Sequence, residues 1–405
     1  MAKRILFFSL TYHPFIGGAE IAIKETTERI SPENYRFDMI TLRFDSDLPK
    51  FERVGNIDIF RIGFARPGAK INDLKKFPLV LMKYLYPFWA FAYAAVLHRR
   101  KPYDAVCSVM TSYASFAPLF FKYIFPGVKY VVRADDGDPT DYYLKRTRFI
   151  SPLFRRIFTK ADRAFTSSTY LERFIRSMGY TGEAVIVPNG VNTSHFSREY
   201  ATEELDELKK KLGKKHGDIF LVTASRLVKK NATEDVIQAL KFLPLHVKFL
   251  ILGIGPDEEM LKKLSKDCGV EDRVFFSGQI SHAELPKYLK ASDIFIRPSL
   301  SEGFGISFIE AMVAGIPVIA TQEGGIADFL YDPEKNSDVP PTGRAVKTHD
   351  PEGIALAVKK FIDNPKETGI IVANARKMAS LRYDWSIIAK KMKEGVFDAL
   401  WKGKS

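Results

Sequence analysis

The sequence predicts an α/β chain of two parallel sheets in which crossover helices follow the strands. Three observations predict it. Short runs rich in Ile, Val and Phe alternate with segments of helical period from one end of the chain to the other, the pattern of parallel strands joined by helices. The 405 residues amount to about two domains of ~100–200 each. A Pro188-Asn189-Gly190 turn, followed by a charged stretch over 203–215, marks a seam between two such alternating runs.

Taken in order, strands are expected at 4–10, 37–43, 57–62, 105–109, 129–133, 163–167 and 184–187 in the first half. In the second half they are expected at 219–224, 247–252, 274–277, 294–297, 318–320 and 344–346, each with a helical stretch behind it. The opening run, Ile5 to Leu10, follows Lys3 and Arg4 and so imitates a signal peptide. It is shorter than the ~7–15 residues of a secretory apolar region, and polar residues interrupt it from Thr11, so it reads as a buried strand. The stretch 77–97 approaches the ~20 residues of a membrane span, yet it contains Lys83, Pro78 and Pro87, which argue against one. A final helix over 385–401 has the apolar spacing of a packing element. Ligands of such folds bind outside the carboxyl ends of the strands, so two facing sheets imply a cleft between domains.

Composition narrows the class further. With 46% hydrophobic residues, 26 Gly and 22 Pro, the chain is neither collagen-like, coiled-coil nor disordered. Two cysteines, Cys107 and Cys268, are too few for a disulfide framework and lack zinc-site spacing, so a reducing, cytoplasmic compartment is expected. Charge is unevenly placed: the first 200 residues carry 30 Lys and Arg against 19 Asp and Glu, the remainder 31 against 29. Such a field suits an anionic membrane surface, a nucleic acid or a phosphorylated substrate, or is simply a solvated face. Phe77, Leu79, Leu81, Tyr84, Leu85, Phe88, Trp89 and Phe91, mixed with and flanked by Lys70, Lys75, Lys76, Lys83, Arg99, Arg100 and Lys101, suit a helix lying at a membrane interface better than a base-stacking platform. No nucleic-acid recognition module is visible, and nucleic acid is not the expected partner.

The most informative segment is 293–328, DIFIRPSLSEGFGISFIEAMVAGIPVIATQEGGIAD. A buried strand ends near Arg297, a loop with Glu302, Gly303 and Gly305 follows, and a helix opens near Gly305 with Glu310 just inside it. Free amides and partial positive charge at that helix start form a ready diphosphate site. Carboxylates do not bind phosphate, so Glu302 and Glu310 suit hydroxyls of a ribose or hexose beside it. A plain cap or ion pair at Glu310 is the bland alternative.

This segment resembles the signature of the family-4 retaining glycosyltransferases of the GT-B fold, whose two glutamates have seven residues between them as Glu302 and Glu310 do. PNGVNTSHF at 188–196, ILGIGPDEEMLKKL at 251–264, VEDRVFFSGQISHAELPKYLKASD at 270–293 and IPVIATQEGG at 316–325 resemble the family in the same order. The resemblance implies two Rossmann-like domains, an acceptor-binding one over 1–190 with the last helix, about 386–405, packed back on it, and a nucleotide-sugar-binding one over 191–385. It implies sugar transfer from a nucleotide-diphosphate donor to an acceptor hydroxyl of a glycan or lipid-linked molecule, with retention of configuration.

Carried over residue by residue, the resemblance puts Glu310 on the ribose, Glu302 on the donor sugar, and the backbone of Gly303, Phe304, Gly305 and Ile306 on the phosphates. Arg226 would neutralise the departing diphosphate. The lysine that usually accompanies it falls at Asn231 here, so Lys230 is taken as its substitute. Gly278, Gln279 and Ile280 would meet the base through their backbone, and Gly17 and Gly18 would approach phosphate from the first domain. Where many relatives carry a histidine this chain has Asp135, expected to contact sugar or acceptor on the cleft side together with Arg133. Asp136 and Asp138 add the short acidic motif that binds Mg²⁺ in the other large glycosyltransferase fold, but no metal or other cofactor is expected. Another GT-B enzyme, such as a nucleotide-sugar epimerase or sugar-phosphate synthase, would use the same donor pocket, and a basic nucleic-acid-binding protein is the alternative from a different class.

Overall fold

A computed structural model describes residues 2–15, 17–135, 137 and 140–402. The chain divides into two units, one running to Gly190 and resuming at Trp385, the other spanning Val191–Asp384. Each is a parallel α/β sheet layered with helices, the Rossmann-like arrangement.

The sheet of the first unit contains β1 (Lys3–Phe8), β2 (Tyr35–Leu42), β3 (Phe51–Val54), β4 (Ile57–Ile62), β5 (Ala105–Ser108), β6 (Lys129–Ala134), β7 (Arg163–Thr166) and β8 (Ala184–Ile186), in spatial order β3-β4-β2-β1-β5-β6-β7-β8. All pairings are parallel except β3 with β4. Ile5, Leu6, Phe7 and Phe8 are fully buried, as a strand covered on both faces must be. The antiparallel edge strand β3 is absent from the sequence expectations. Its four residues, FERV, are too short and half-charged to read as a strand, and pairing across the tight turn at Gly55 (φ 58°) is what creates it. Helices of this unit are α1 (Gly18–Glu28), α2 (Val80–Arg100), α3 (Phe116–Ile124), α4 (Thr140–Thr147), α5 (Ser151–Thr159) and α6 (Thr169–Ser177).

The second unit carries β9 (Ile219–Ala224), β10 (Val247–Leu252), β11 (Val274–Phe276), β12 (Ile294–Arg297), β13 (Val318–Thr321) and β14 (Arg344–Val346), ordered β11-β10-β9-β12-β13-β14 and parallel throughout. Its helices are α7 (Thr193–Phe196), α8 (Thr202–Lys211), α9 (Thr233–Ala239), α10 (Glu258–Asp267), α11 (Leu285–Lys290), α12 (Ile306–Ala314), α13 (Pro351–Asp363) and α14 (Pro365–Tyr383). Helix α12 is buried on every side, with Phe308, Ile309, Ala311, Met312 and Val313 excluded from solvent, and α14 covers it.

The last segment differs from the single helix expected. An α-helix, α15 (Trp385–Met392), gives way to a π turn over Lys393–Phe397 and a 3₁₀ turn over Asp398–Leu400. Tertiary contacts account for the break. Arg163 Nε donates to the Gly395 carbonyl at 2.7 Å, Phe397 sits among the rings of Phe7, Tyr35 and Phe37, and Tyr35 Oη donates to Asp398 Oδ1 at 2.6 Å.

Among the parallel strands the order reverses between β1 and β5 in the first sheet and between β9 and β12 in the second. A crevice forms at such a switch point because the two flanking crossovers leave on opposite sides, and this is where doubly wound sheets bind ligands.

Candidate functional site

At the switch point of the second unit two loops face one another: 225–232 after β9, and 298–305 after β12. They are tied by the Leu300 amide donating to the Lys230 carbonyl at 2.8 Å. Neighbouring loops brace them. Thr321 Oγ1 donates to the Ser299 carbonyl at 2.6 Å, and the Gly325 amide donates to the Glu302 carbonyl at 2.8 Å. Gly324 is held at φ 65°, and a Cβ there would stand 2.0 Å from the Glu302 carbonyl oxygen. Backbone cannot yield as a side chain would, so Gly324→Ala is expected to lower the urea midpoint of the second unit by an amount equivalent to more than ~1 kcal/mol.

The sequence marks Arg297 only as a strand end, yet this side chain organises the loop. It is 8% exposed at the side chain, donates from Nε to Ser299 Oγ (3.1 Å), from Nη1 to Ser307 Oγ (2.9 Å) and from Nη2 to Glu302 Oε2 (2.6 Å), and lies over the Phe308 ring. Burial pulls its pKa below the ordinary arginine value, while Glu302 and Glu310 oppose the shift. The Glu302 side chain is clamped at one oxygen by Arg297, and its other oxygen is 3.2 Å from the Gly303 amide. Past it the chain turns through Gly305 at φ 91° into α12. Among the described residues the Phe304 and Gly305 amides have no acceptor, and those of Ile306 and Ser307 open the helix, where no intrahelical acceptor exists. The Phe304 side chain is buried in the core, which fixes the direction of its backbone.

Glu310 is buried in the first turns of α12, and His282 Nε2 donates to its Oε1 at 3.0 Å. His282 stacks on His195 and follows Gly278, Gln279 and Ile280, the turn expected to meet the base. That pairing brings the 278–282 turn up against Glu310 on α12. Gly278 has φ 70°, open space where a side chain would stand, and a carbonyl that accepts from the Gly253 amide at 2.7 Å.

Arg226 is exposed with no ion-pair partner among the described residues. Asn231, standing where a lysine is usual, is buried and donates from Nδ2 to the Arg226 carbonyl at 2.7 Å. It therefore shapes the loop rather than supplying charge. Lys230 is half-buried on the 3₁₀ turn Lys229–Asn231, and its backbone is the tie to the 298–305 loop already described.

In the first unit Gly17 and Gly18 sit at the β1/β5 switch point and are exposed. The Gly17 amide is already taken by Glu20 Oε2 at 3.0 Å, and Glu20 also accepts from Thr11 Oγ1 at 3.2 Å. Burial raises the Glu20 pKa. Only Gly18 of the pair keeps an amide unclaimed by a side chain. The Arg133 and Asp135 side chains are buried, 3% and 2% exposed, and paired at 2.6 Å, with Arg133 also bonded to Asn189 Oδ1 and the Ala19 carbonyl. Among the described residues Asp135 Oδ1 has no hydrogen-bond partner. Asp136 and Asp138 lie outside the described residues.

Comparison with known proteins now bears on this arrangement. The family model for glycosyl transferases group 1 matches 204–378, and that for glycosyltransferase family 4 matches 16–195. The chain belongs to the family-4-type glycosyltransferases of the GT-B fold. It is 25% identical to an uncharacterised glycosyltransferase of Methanocaldococcus jannaschii over 96% of both chains. It is 27% identical to the alpha-monoglucosyldiacylglycerol synthase of Acholeplasma laidlawii, over 81% of this chain and 83% of that one. Among solved structures, sucrose-phosphate synthase from Thermosynechococcus elongatus superposes with a TM-score of 0.79 at 21% identity, covering 98% of this chain and all of that one.

In this glycosyltransferase, sequence reasoning missed Arg297, His282 and Asn189 as site-forming residues. Arg297 did leave a signal: a lone cation ending the apolar strand IFIR needs a buried partner, and Glu302 stands five residues on. His282 left none, because its partner is 28 residues away and the pairing depends on how α12 docks.

Proposed function

We propose that this glycosyltransferase takes a nucleotide-diphosphate sugar in the second unit and transfers the sugar to an acceptor hydroxyl with retention of configuration. The observation that carries the reading is the switch-point loop pair, with an exposed Arg226 on one side and the unbonded amides of Phe304 and Gly305 on the other. In this reading the base lies on the 278–280 turn, the ribose hydroxyls bond Glu310, the diphosphate lies on the amides of 304–306, and Glu302 takes donor-sugar hydroxyls. Arg297 keeps Glu302 aimed through the Nη2–Oε2 contact.

During transfer the bond from the anomeric carbon to the diphosphate oxygen breaks, and its electron pair leaves with the phosphate. Arg226 and Lys230 meet that growing negative charge. The acceptor oxygen bonds the anomeric carbon, and its proton passes to the leaving phosphate. Because cationic side chains neutralise the diphosphate, EDTA is expected to leave transfer unaffected. A loss restored by Mg²⁺ would overturn that part of the reading. A lipid-linked acceptor is supported by the relative named as a glucosyldiacylglycerol synthase.

Thermal-shift titration with UDP, GDP, ADP and TDP tests the donor site. The matching nucleotide at 100 times its Kd stabilises by ~2.7 kcal/mol, and no shift with any of the four contradicts the site. Glu310→Ala removes a charged hydrogen bond to ribose worth ~1.5–3 kcal/mol, so nucleotide affinity is expected to fall by about 10- to 100-fold. Unchanged affinity by calorimetry would take Glu310 out of the site.

A further inference from the structure

Helix α2 is apolar on two opposite faces, and the first unit covers only one. Met82, Tyr86, Ala90 and Ala94 are fully buried against the sheet layer, and Tyr86 Oη donates to the Ile40 carbonyl at 2.6 Å. On the other side Leu81, Tyr84, Leu85, Phe88, Ala92 and Val96 recur at helical spacing and are exposed, Phe88 at 59%. Phe77, just before the helix, is 77% exposed. The stripe continues onto α3, where Phe120 stacks on Phe88 at 5.6 Å and Ile124 is 59% exposed. A helix that is apolar all round, with one side left in water, needs a second apolar phase.

Charge identifies the phase. Between Asp73 and Asp135 the sequence contains a single acidic residue, Asp104, and that one is bound by Lys3 and the Arg4 amide. Exposed cations stand at both ends of the stripe, Lys75 and Lys76 before it and Arg99, Arg100 and Lys101 after it. A second copy of the chain is a poor occupant, because a two-fold interface opposes the same patch to itself and offers these cations no acid. A span is excluded while the unit is folded, since the inner face of α2 is part of its core.

We infer that the outer face of α2, with the tip of α3, docks on an anionic lipid bilayer, the helix lying in the plane of the interface. The apolar stripe enters the boundary of headgroups and acyl chains, and the flanking Lys and Arg meet headgroup phosphates. This goes beyond the transferase reading and does not depend on it, since neither donor nor acceptor takes part.

The test is co-sedimentation of the full chain with phosphatidylcholine vesicles, with and without phosphatidylglycerol. The chain is expected to bind only the anionic vesicles and to be released by salt. Leu81→Glu/Leu85→Glu should lower binding at least about tenfold, and Lys75→Glu/Arg99→Glu by a similar factor, with the melting temperature unchanged. Phe77→Glu, outside the helix, serves as the stripe variant should the double substitution fail to fold. Equal binding to both vesicle types, no binding by the unmodified chain, or unchanged binding by these variants would overturn the proposal. So would concentration-dependent dimerisation without vesicle binding that the stripe variants abolish.

Discussion

Arg226→Ala is expected to reduce sugar transfer by about 100- to 1,000-fold, the cost of removing one preorganised group from developing charge. Folding should be untouched, because the side chain is exposed, makes no ion pair among the described residues, and holds its loop only through its backbone carbonyl. The effect should fall on kcat more than on KM, since the diphosphate is most negative after the bond to the sugar has broken. Arg226→Lys should recover part of the rate by restoring charge without the planar fork. Nucleotide-sugar turnover and melting temperature, measured together, decide the matter: a variant with full activity removes Arg226 from the chemistry, and a lower melting temperature with unaltered kcat assigns it to structure instead.

The second large effect is on stability. Arg297→Ala leaves the Glu302 carboxylate without its counterion and strips Ser299 and Ser307 of their donor, all at the head of a fully buried helix. Breaking one side of a buried pair costs ~3–5 kcal/mol. Glu302 retains some solvent access, 17% at the side chain, so the lower end of that range is the expectation. Urea unfolding of the second unit should register it, and hydrogen exchange of the α12 amides should accelerate. Arg297→Met combined with Glu302→Gln, which removes both charges, should recover a substantial part of the loss. A single-variant cost below ~1 kcal/mol would show that solvent already satisfies the pair.

Most of the fold was legible locally. Strands such as Ile57–Ile62, Ile219–Ala224, Val247–Leu252 and Ile294–Arg297 are short apolar runs between turn residues, and the structure ends them where the sequence does. The family, too, was readable, because the 298–310 motif combines a strand end, a glycine turn and two carboxylates within one short segment. Less legible were features that exist only between distant residues. The strand β3 needs β4 beside it, and the π turn at 393–397 needs Arg163 and a ring cluster from β1 and β2. Asp135 is a further case: the resemblance placed it where relatives carry a histidine, and its buried pairing with Arg133 is set by the fold.

By itself, the sequence determined two α/β units, the strands that build them, and the glycosyltransferase signature. Only the tertiary structure decided that Arg297 clamps Glu302, that His282 holds Glu310, and that α2 keeps an uncovered apolar face. The reason is range. Strand and helix periodicity is written in neighbours a few residues apart, while the partner of a buried charge or the cover of a helix face is chosen by packing, which brings together residues that the chain separates.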